Sequence, residues 1–298
     1  MQKFVHPGRV LRDLMTQKCV MMPGSFNGLV ARMTSDLGFN ATYLSGAALT
    51  ASRGVPDIGL LSLEAFTQAI EDIYNSSGLP LIADADTGFG EGEMCAKTVW
   101  QYSKAGAAGL HIEDQQFPKR CGHLDGKSLI AVEDMVKKIE ICADTRDKCS
   151  NGDFIICART DARGVEGIES TLSRSKAYID AGADMIFPEG LENVAEFEYV
   201  AQKLRSHKPG VFLLANMTEF GKTPLINFSE FERMGYSCVI YPVSTLRVAM
   251  GAVAGMLQGL KETGSVEGSI DKMLNRKELY GLLEYTPGKE WMYPGTKK

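Results

Sequence analysis

What most constrains this chain is a repeat: a short apolar run ending in a polar or glycine-bearing cluster recurs eight times. The runs are CVMMPGS from Cys19, ATYLSGA from Ala41, LPLIADAD from Leu79, GLHIEDQ from Gly109, FIICARTD from Phe154, DMIFPEG from Asp184, VFLLANMT from Val211 and SCVIYPVS from Ser237. Their starts lie about 22 to 45 residues apart. Most of the gaps carry apolar residues at helical spacing, as in 63–74, 94–105, 170–181 and 248–260. Several of these stretches end in a glycine just before the next run (DLGFNATYL, KAGAAGLHI, DAGADMIF, RMGYSCVI), where glycine can take the left-handed conformation that closes a helix. Runs of four to six apolar residues without polar alternation read as parallel strands covered on both faces. Eight strand–helix units predict a closed (β/α)8 TIM barrel, because an open sheet needs two edge strands and none of the runs looks like one. The GxGxxG and GxxxxGK[ST] signatures of nucleotide-binding open sheets are absent from the sequence. The 298 residues are expected to form one barrel domain over 1–298, with a C-terminal helical extension and tail over about 265–298.

Composition narrows the function classes. With 44% hydrophobic and 23% charged residues, the chain has the balance of a protein with one large core. No apolar run approaches the roughly 18 residues that cross a bilayer, and the start, MQKFVHPGRVLRDL, lacks the apolar stretch of a secretory signal. A net charge of −5 without a Lys/Arg cluster among aromatics argues against nucleic acid and membrane surfaces as partners. The seven cysteines are scattered and free of CxxC spacing, which fits a reducing compartment: the cytoplasm, or a mitochondrial matrix if the source is eukaryotic.

In such a barrel the site is built from the C-terminal ends of the strands. Collected from the eight runs, these are Ser45, Gly46 and Ala47, Asp84 and Asp86, Glu113 and Asp114, Arg159 to Asp161, Glu189, Asn216 and Thr218, and Ser244 with Arg247. Carboxylates crowded at one mouth need a compensating cation, and oxygen-only ligands favour Mg2+ or Mn2+. Asp84 and Asp86 are two apart and, on an extended strand end, would share a face and reach one ion. The other reading is that one of them only caps the following DTGFGEGE loop. In KRCGH (119–123), Cys121 stands among Lys119, Arg120 and His123, an electropositive setting that lowers a thiol's pKa and suits it to proton transfer. A lone cysteine is also a common buried hydrophobe, and both readings stand open on the loop alone.

The motifs YLSGAA, PDIGL, LIADADTGFG, GLHIEDQ, KRCGH, ICARTDA, FPEG, ANMTEFG with TPL, and YPVSTLR resemble, in order, those of the isocitrate lyase and phosphoenolpyruvate mutase superfamily. Similarity is greatest to its methylisocitrate-cleaving branch, from about residue 8 to residue 283, with Ala47 standing where that branch carries glycine. The resemblance implies a Mg-dependent lyase that splits 2-methylisocitrate, a tricarboxylate, into pyruvate and succinate in propionate breakdown by the methylcitrate cycle. It implies Asp86 as direct metal ligand, with Asp84, Asp57 and Glu113 holding metal-bound water. Tyr43 would be the base or proton shuttle and Cys121 the catalytic acid. Ser45, Gly46, Ala47, Gly122, His123, Arg159, Glu189, Asn216, Thr218, Arg247 and Arg276 would contact substrate. It further implies a homotetramer in which C-terminal helices are exchanged between subunits. Within the superfamily, 2,3-dimethylmalate lyase and oxaloacetate hydrolase are the alternative activities, and a catalytically silent barrel with a binding or assembly role is the alternative from another class.

Overall fold

The structure is a computed structural model and describes residues 5–120 and 126–292. Helix α1 (Pro7–Gln17) precedes strand β1 (Val20–Pro23), followed by α2 (Gly28–Asp36), β2 (Thr42–Leu44), α3 (Gly46–Ser52), α4 (Leu63–Ser77) and β3 (Leu81–Asp84). The chain continues through α5 (Gly92–Ala105), β4 (Gly109–Glu113), α6 (Val132–Ser150), β5 (Ile155–Thr160), α7 (Ile168–Asp180), β6 (Met185–Pro188) and α8 (Val194–His207). It ends with β7 (Phe212–Asn216), α9 (Phe228–Arg233), β8 (Cys238–Tyr241), α10 (Ser244–Thr263) and α11 (Arg276–Leu282). No helix among the described residues is long and apolar enough to cross a membrane.

The eight strands pair in the order β1-β8-β7-β6-β5-β4-β3-β2, all in parallel, as the repeat predicts. The remaining seam, between β1 and β2, is joined by the bridge of Gly24 to Tyr43, with Ser25 N–H donating to the Tyr43 carbonyl at 2.8 Å. On its other side, against the end of β8, only glycine fits at this position. A Cβ on Gly24 would stand 2.2 Å from the Pro242 carbonyl oxygen. Each strand begins at the start of its apolar run or up to two residues later. The run from Leu79 has the largest offset, because Pro80 at its second position has no N–H to give a ladder.

Helix α4 shows how local sequence docks a helix on the barrel. Ser62 caps it by accepting from Ala65 N–H, Gly78 closes it at φ 66°, and Phe66, Ile70 and Ile73 form a fully buried stripe at helical spacing. Burial of each such side chain contributes about 1.5–3 kcal/mol. The four glycines expected to close helices, Gly38, Gly106, Gly182 and Gly235, all have positive φ. Asn151 ends α6 in the same left-handed conformation, which an asparagine tolerates.

Strand alternation positions the site. Leu81, Ala83, Leu110, Ile112, Ile156, Ala158 and Ile186 face the helices. Ile82, Ile155, Cys157, Met185, Leu214 and Cys238 belong to a second apolar cluster that fills the barrel. Continuing that inward set by steps of two toward the C-terminal ends leads to Asp84, Glu113, Arg159, Glu189 and Asn216. The barrel is therefore plugged with apolar side chains below and lined with charge above.

Candidate active site

A cavity of about 250 Å³ opens at the C-terminal end of the barrel. Of the residues expected at a site, Tyr43, Ser45, Ala47, Asp57, Asp84, Arg159, Glu189, Asn216, Thr218 and Arg247 line it, together with Lys119 and Arg120. Asp86 and Glu113 stand just behind this wall, both buried. Gly46 donates its N–H to Asp84 Oδ2 at 3.1 Å, and a Cβ there would press on that oxygen at 2.7 Å. Arg276 lies elsewhere, exposed at the start of α11 and away from the cavity. Cys121, Gly122 and His123 lie outside the described residues.

Asp84 and Asp86 come together by a route other than the expected one. β3 stops at Asp84, and Asp86 has φ 46°, so the chain turns between them rather than staying extended. Asp84 Oδ1 accepts Asp86 N–H at 3.0 Å, so Asp84 caps this turn while also lining the cavity. Lys119 Nζ lies 2.5 Å from Asp86 Oδ1 and 2.7 Å from Asp57 Oδ1, an ionic contact in which neither oxygen receives a directed hydrogen bond. Both oxygens of Glu113, wholly buried, also lack a hydrogen bond, with Arg159 Nε at 3.4 Å from Oε2.

The electrostatics follow from this crowding. Burial, then the charge of Asp84, pushes the Asp86 carboxyl up to about 7. Burial opposes ionisation of Asp84 too, but His111, Lys119 and Arg159 together hold it down to about 2. Burial drives the Glu113 carboxyl well above its ordinary range, against the pull of Arg159 and Lys119. The acids outnumber the cations that face them. Among the described residues no three acidic, histidine or cysteine side chains are already gathered into a metal cage. The donor set still fits a hard divalent ion: oxygen-only, over-rich in negative charge, with buried Glu113 oxygens that accept no hydrogen bond and Asp57 and Asp86 oxygens that share a single lysine. Lys119 occupies the centre of that set and must give way to such an ion.

On the opposite wall, Asn216 Nδ2 donates to Glu189 Oε2 at 3.1 Å, and Arg159 lies over the Phe187 ring at 5.2 Å. At the rim, Arg247 donates to the Glu219 carbonyl at 2.6 Å and to its carboxylate at 3.0 Å. The same Glu219 accepts from Ser244 Oγ, and Arg247 stacks on Phe220.

His111 is the residue that motif reading passed over. It sits two before Glu113, hence on the same inward face of β4, and its Nε2 lies 2.7 Å from Tyr43 OH. Burial lowers its pKa to about 4, so the ring is neutral at pH 7. Burial, reinforced by Asp84, raises the Tyr43 hydroxyl well above its ordinary range. The signal was present in the inward alternation of GLHIEDQ.

The phosphoenolpyruvate phosphomutase family profile matches residues 11–261. A probable 2-methylisocitrate lyase of Corynebacterium glutamicum is 48% identical over 264 residues, spanning 89% of this chain and 84% of that protein. The crystal structure of a 2,3-dimethylmalate lyase superposes with a TM-score of 0.87 at 36% identity, over 94% of this chain and 92% of that one. A phosphonopyruvate hydrolase crystallised with oxalate and Mg2+ superposes with a TM-score of 0.83 at 27% identity, over 94% and 95% of the two chains. With the barrel, the acid-rich mouth and these matches in agreement, the chain belongs to the phosphoenolpyruvate mutase/isocitrate lyase superfamily.

Proposed function

We propose that this protein is a lyase that cleaves the C2–C3 bond of 2-methylisocitrate to give pyruvate and succinate. Its metal would be Mg2+, or Mn2+ in its place, with Asp86 as the direct ligand and Asp84, Asp57 and Glu113 holding it through water. The observation that carries this reading is the surplus of buried acid beside Arg159 at one barrel mouth, in a chain 48% identical to a probable 2-methylisocitrate lyase. A divalent ion bound there supplies Lewis-acid polarisation of the keto-acid oxygens.

The chain's own groups do the rest. Ser45, Gly46 and Ala47 hold the keto-acid half. Tyr43 Oη takes the C2 hydroxyl proton, with its own hydroxyl held in place by the 2.7 Å contact to the neutral His111 Nε2. The C2–C3 electron pair moves onto the departing fragment, whose aci-carboxylate faces Arg159. Glu189, Asn216, Thr218 and Arg247 orient the carboxylates. Cys121 gives its thiol proton to C3, with Gly122 and His123 gripping a carboxylate, and the proton taken from the C2 hydroxyl replaces the one lost from the Cys121 thiolate before the next turnover. The proposal is tested by keto-acid release from 2-methylisocitrate, with and without Mg2+.

A second reading, 2,3-dimethylmalate lyase, is favoured by the 36% identical structure and by the apolar Phe187, Ile240, Pro242 and Val243, which suit methyl groups in either substrate. The two differ in that 2-methylisocitrate carries a third carboxylate, for which Arg247 at the rim would serve as partner by exchanging its contact with the Glu219 carboxylate.

The functional unit in this proposal is a cytoplasmic homotetramer with exchanged C-terminal helices. On α10, Leu246 is buried while Met250, Val253 and Leu257, which share one side of the helix, are exposed, an apolar face suited to a second copy. Arg276, remote from its own cavity, would then belong to a neighbour's.

A further inference from the structure

The proposed reaction depends on how Arg159 presents its charge, and that presentation is set from behind the cavity wall. Asp161, just past the end of β5, is fully buried and does not line the cavity. Its Oδ2 accepts from Arg159 Nε at 2.9 Å and its Oδ1 from Nη2 at 3.2 Å, which occupies one whole edge of the guanidinium. Nη1 is left on the far side, 3.7 Å from Glu189 Oε2 at the cavity wall. Phe187 supports the plane from one face.

Asp161 is itself anchored. Lys127 Nζ, almost fully buried, donates to Oδ1 at 3.1 Å. The Asp161 backbone N–H donates to Asp114 Oδ1 at 3.0 Å, and Asp114 Oδ2 in turn accepts from Thr160 Oγ1 at 2.7 Å and Tyr178 OH at 2.8 Å. Arg159 also has a competitor for its attention. Glu113 Oε2 stands 3.4 Å from Nε without a hydrogen bond. A guanidinium released by Asp161 would swing toward that carboxylate, withdrawing both Nη1 from the cavity and Glu113 from its proposed water-holding role.

We infer that Asp161 is a positioning residue: it claims the Nε/Nη2 edge of Arg159, holds the guanidinium off Glu113 and presents Nη1 to a carboxylate of the bound substrate. This rests on the reading of Arg159 as a substrate contact.

The test is a double-mutant cycle on the full-length enzyme with Mg2+. It compares Asp161→Asn, Arg159→Lys and the pair, with Lys127→Met alone and in the Arg159→Lys background. Readouts are kcat/KM for 2-methylisocitrate, inhibition constants for pyruvate and for succinate, and Tm. Asp161→Asn should lower kcat/KM by about 10- to 100-fold and weaken one of the two products several-fold while leaving the other unchanged. In the Arg159→Lys background it should cost less than about twofold. Lys127→Met should act in the same direction, more weakly, and also lose its effect there. Inhibition constants do not depend on the fraction of folded enzyme, so a fall in activity with both product constants unchanged would overturn the positioning role in favour of a structural one. Equal cost of Asp161→Asn in both backgrounds would overturn it too, while leaving Arg159 as a substrate contact. Near-normal kinetics of Arg159→Lys alone would remove the Arg159 reading, and Asp161's role with it. If Asp161→Asn fails to fold, Lys127→Met decides by the same non-additivity.

Discussion

At the scale of single residues, Asp86 shows what the site costs the fold. It is a non-glycine residue at φ 46°, its carboxyl is buried against Asp84, and its nearest cation is a lysine. Asn tolerates the same left-handed backbone and removes the like charge. Asp86→Asn should therefore abolish turnover, by about 10³-fold or more, without lowering Tm in chelator-treated enzyme, as is common where function opposes stability. A clear drop in Tm with activity retained would reduce Asp86 to a loop residue. Cys121→Ser replaces a thiol by a hydroxyl whose pKa is many units higher, so kcat should fall about 10²- to 10⁴-fold with substrate still binding. The variant should also resist thiol reagents, since Cys19, Cys95, Cys142, Cys157 and Cys238 are buried and Cys149 is half-buried. Near-normal kcat would take the thiol out of the mechanism. Sequence reading reached these residues because each belongs to a charged cluster in the sequence, Asp86 in ADADTG and Cys121 in KRCGH. His111 escaped it because a histidine between apolar residues gives no cluster signal, only an inward position on β4. The way Lys119 bridges Asp57 and Asp86 was equally hidden, since three residues far apart in sequence meet only once the barrel is folded.

At the scale of elements, the strands and helices were readable because two periods alternate along the chain and the barrel obeys both. The turn after β3 was not, since an Asp-Ala-Asp segment is equally compatible with an extended strand end. What decides it is the hydrogen bond from Asp86 N–H to Asp84. The β1–β2 seam was also illegible. It starts at a glycine whose other side faces the Pro242 carbonyl just past the neighbouring strand β8, a contact distant in sequence. A Cβ at 2.2 Å from a backbone oxygen cannot be relieved by a rotamer change, so Gly24→Ala should destabilise by at least the usual overpacking cost of about 1–3 kcal/mol, read from the denaturant midpoint. An unchanged midpoint would mean that β1 and the end of β8 can part at Gly24 without loosening the barrel. On the helical layer, Phe66→Ala should cost about 3–5 kcal/mol and leave KM unaltered, because α4 packs its stripe outside the strands and away from the cavity.

At the scale of the whole molecule, the C-terminal segment and the cavity place different demands on the chain. Helix α10 leaves an apolar face uncovered, with Val253 and Leu257 exposed along it. Placing charge there, as in Leu257→Glu with Val253→Asp, should convert the proposed tetramer into smaller species by light scattering. If Arg276 serves a neighbouring cavity, activity should fall with the assembly. A tetramer that survives both charges would move the interface elsewhere. The central claim is the activity itself, and keto-acid release addresses it most directly. Purified protein is assayed in parallel with 2-methylisocitrate, isocitrate, 2,3-dimethylmalate and oxaloacetate, each with Mg2+ and with chelator. Cleavage of 2-methylisocitrate to equimolar pyruvate and succinate, fastest among the four and lost in chelator, is the predicted result. Turnover of 2,3-dimethylmalate at a higher kcat/KM, or methylisocitrate cleavage that persists in chelator, would contradict it.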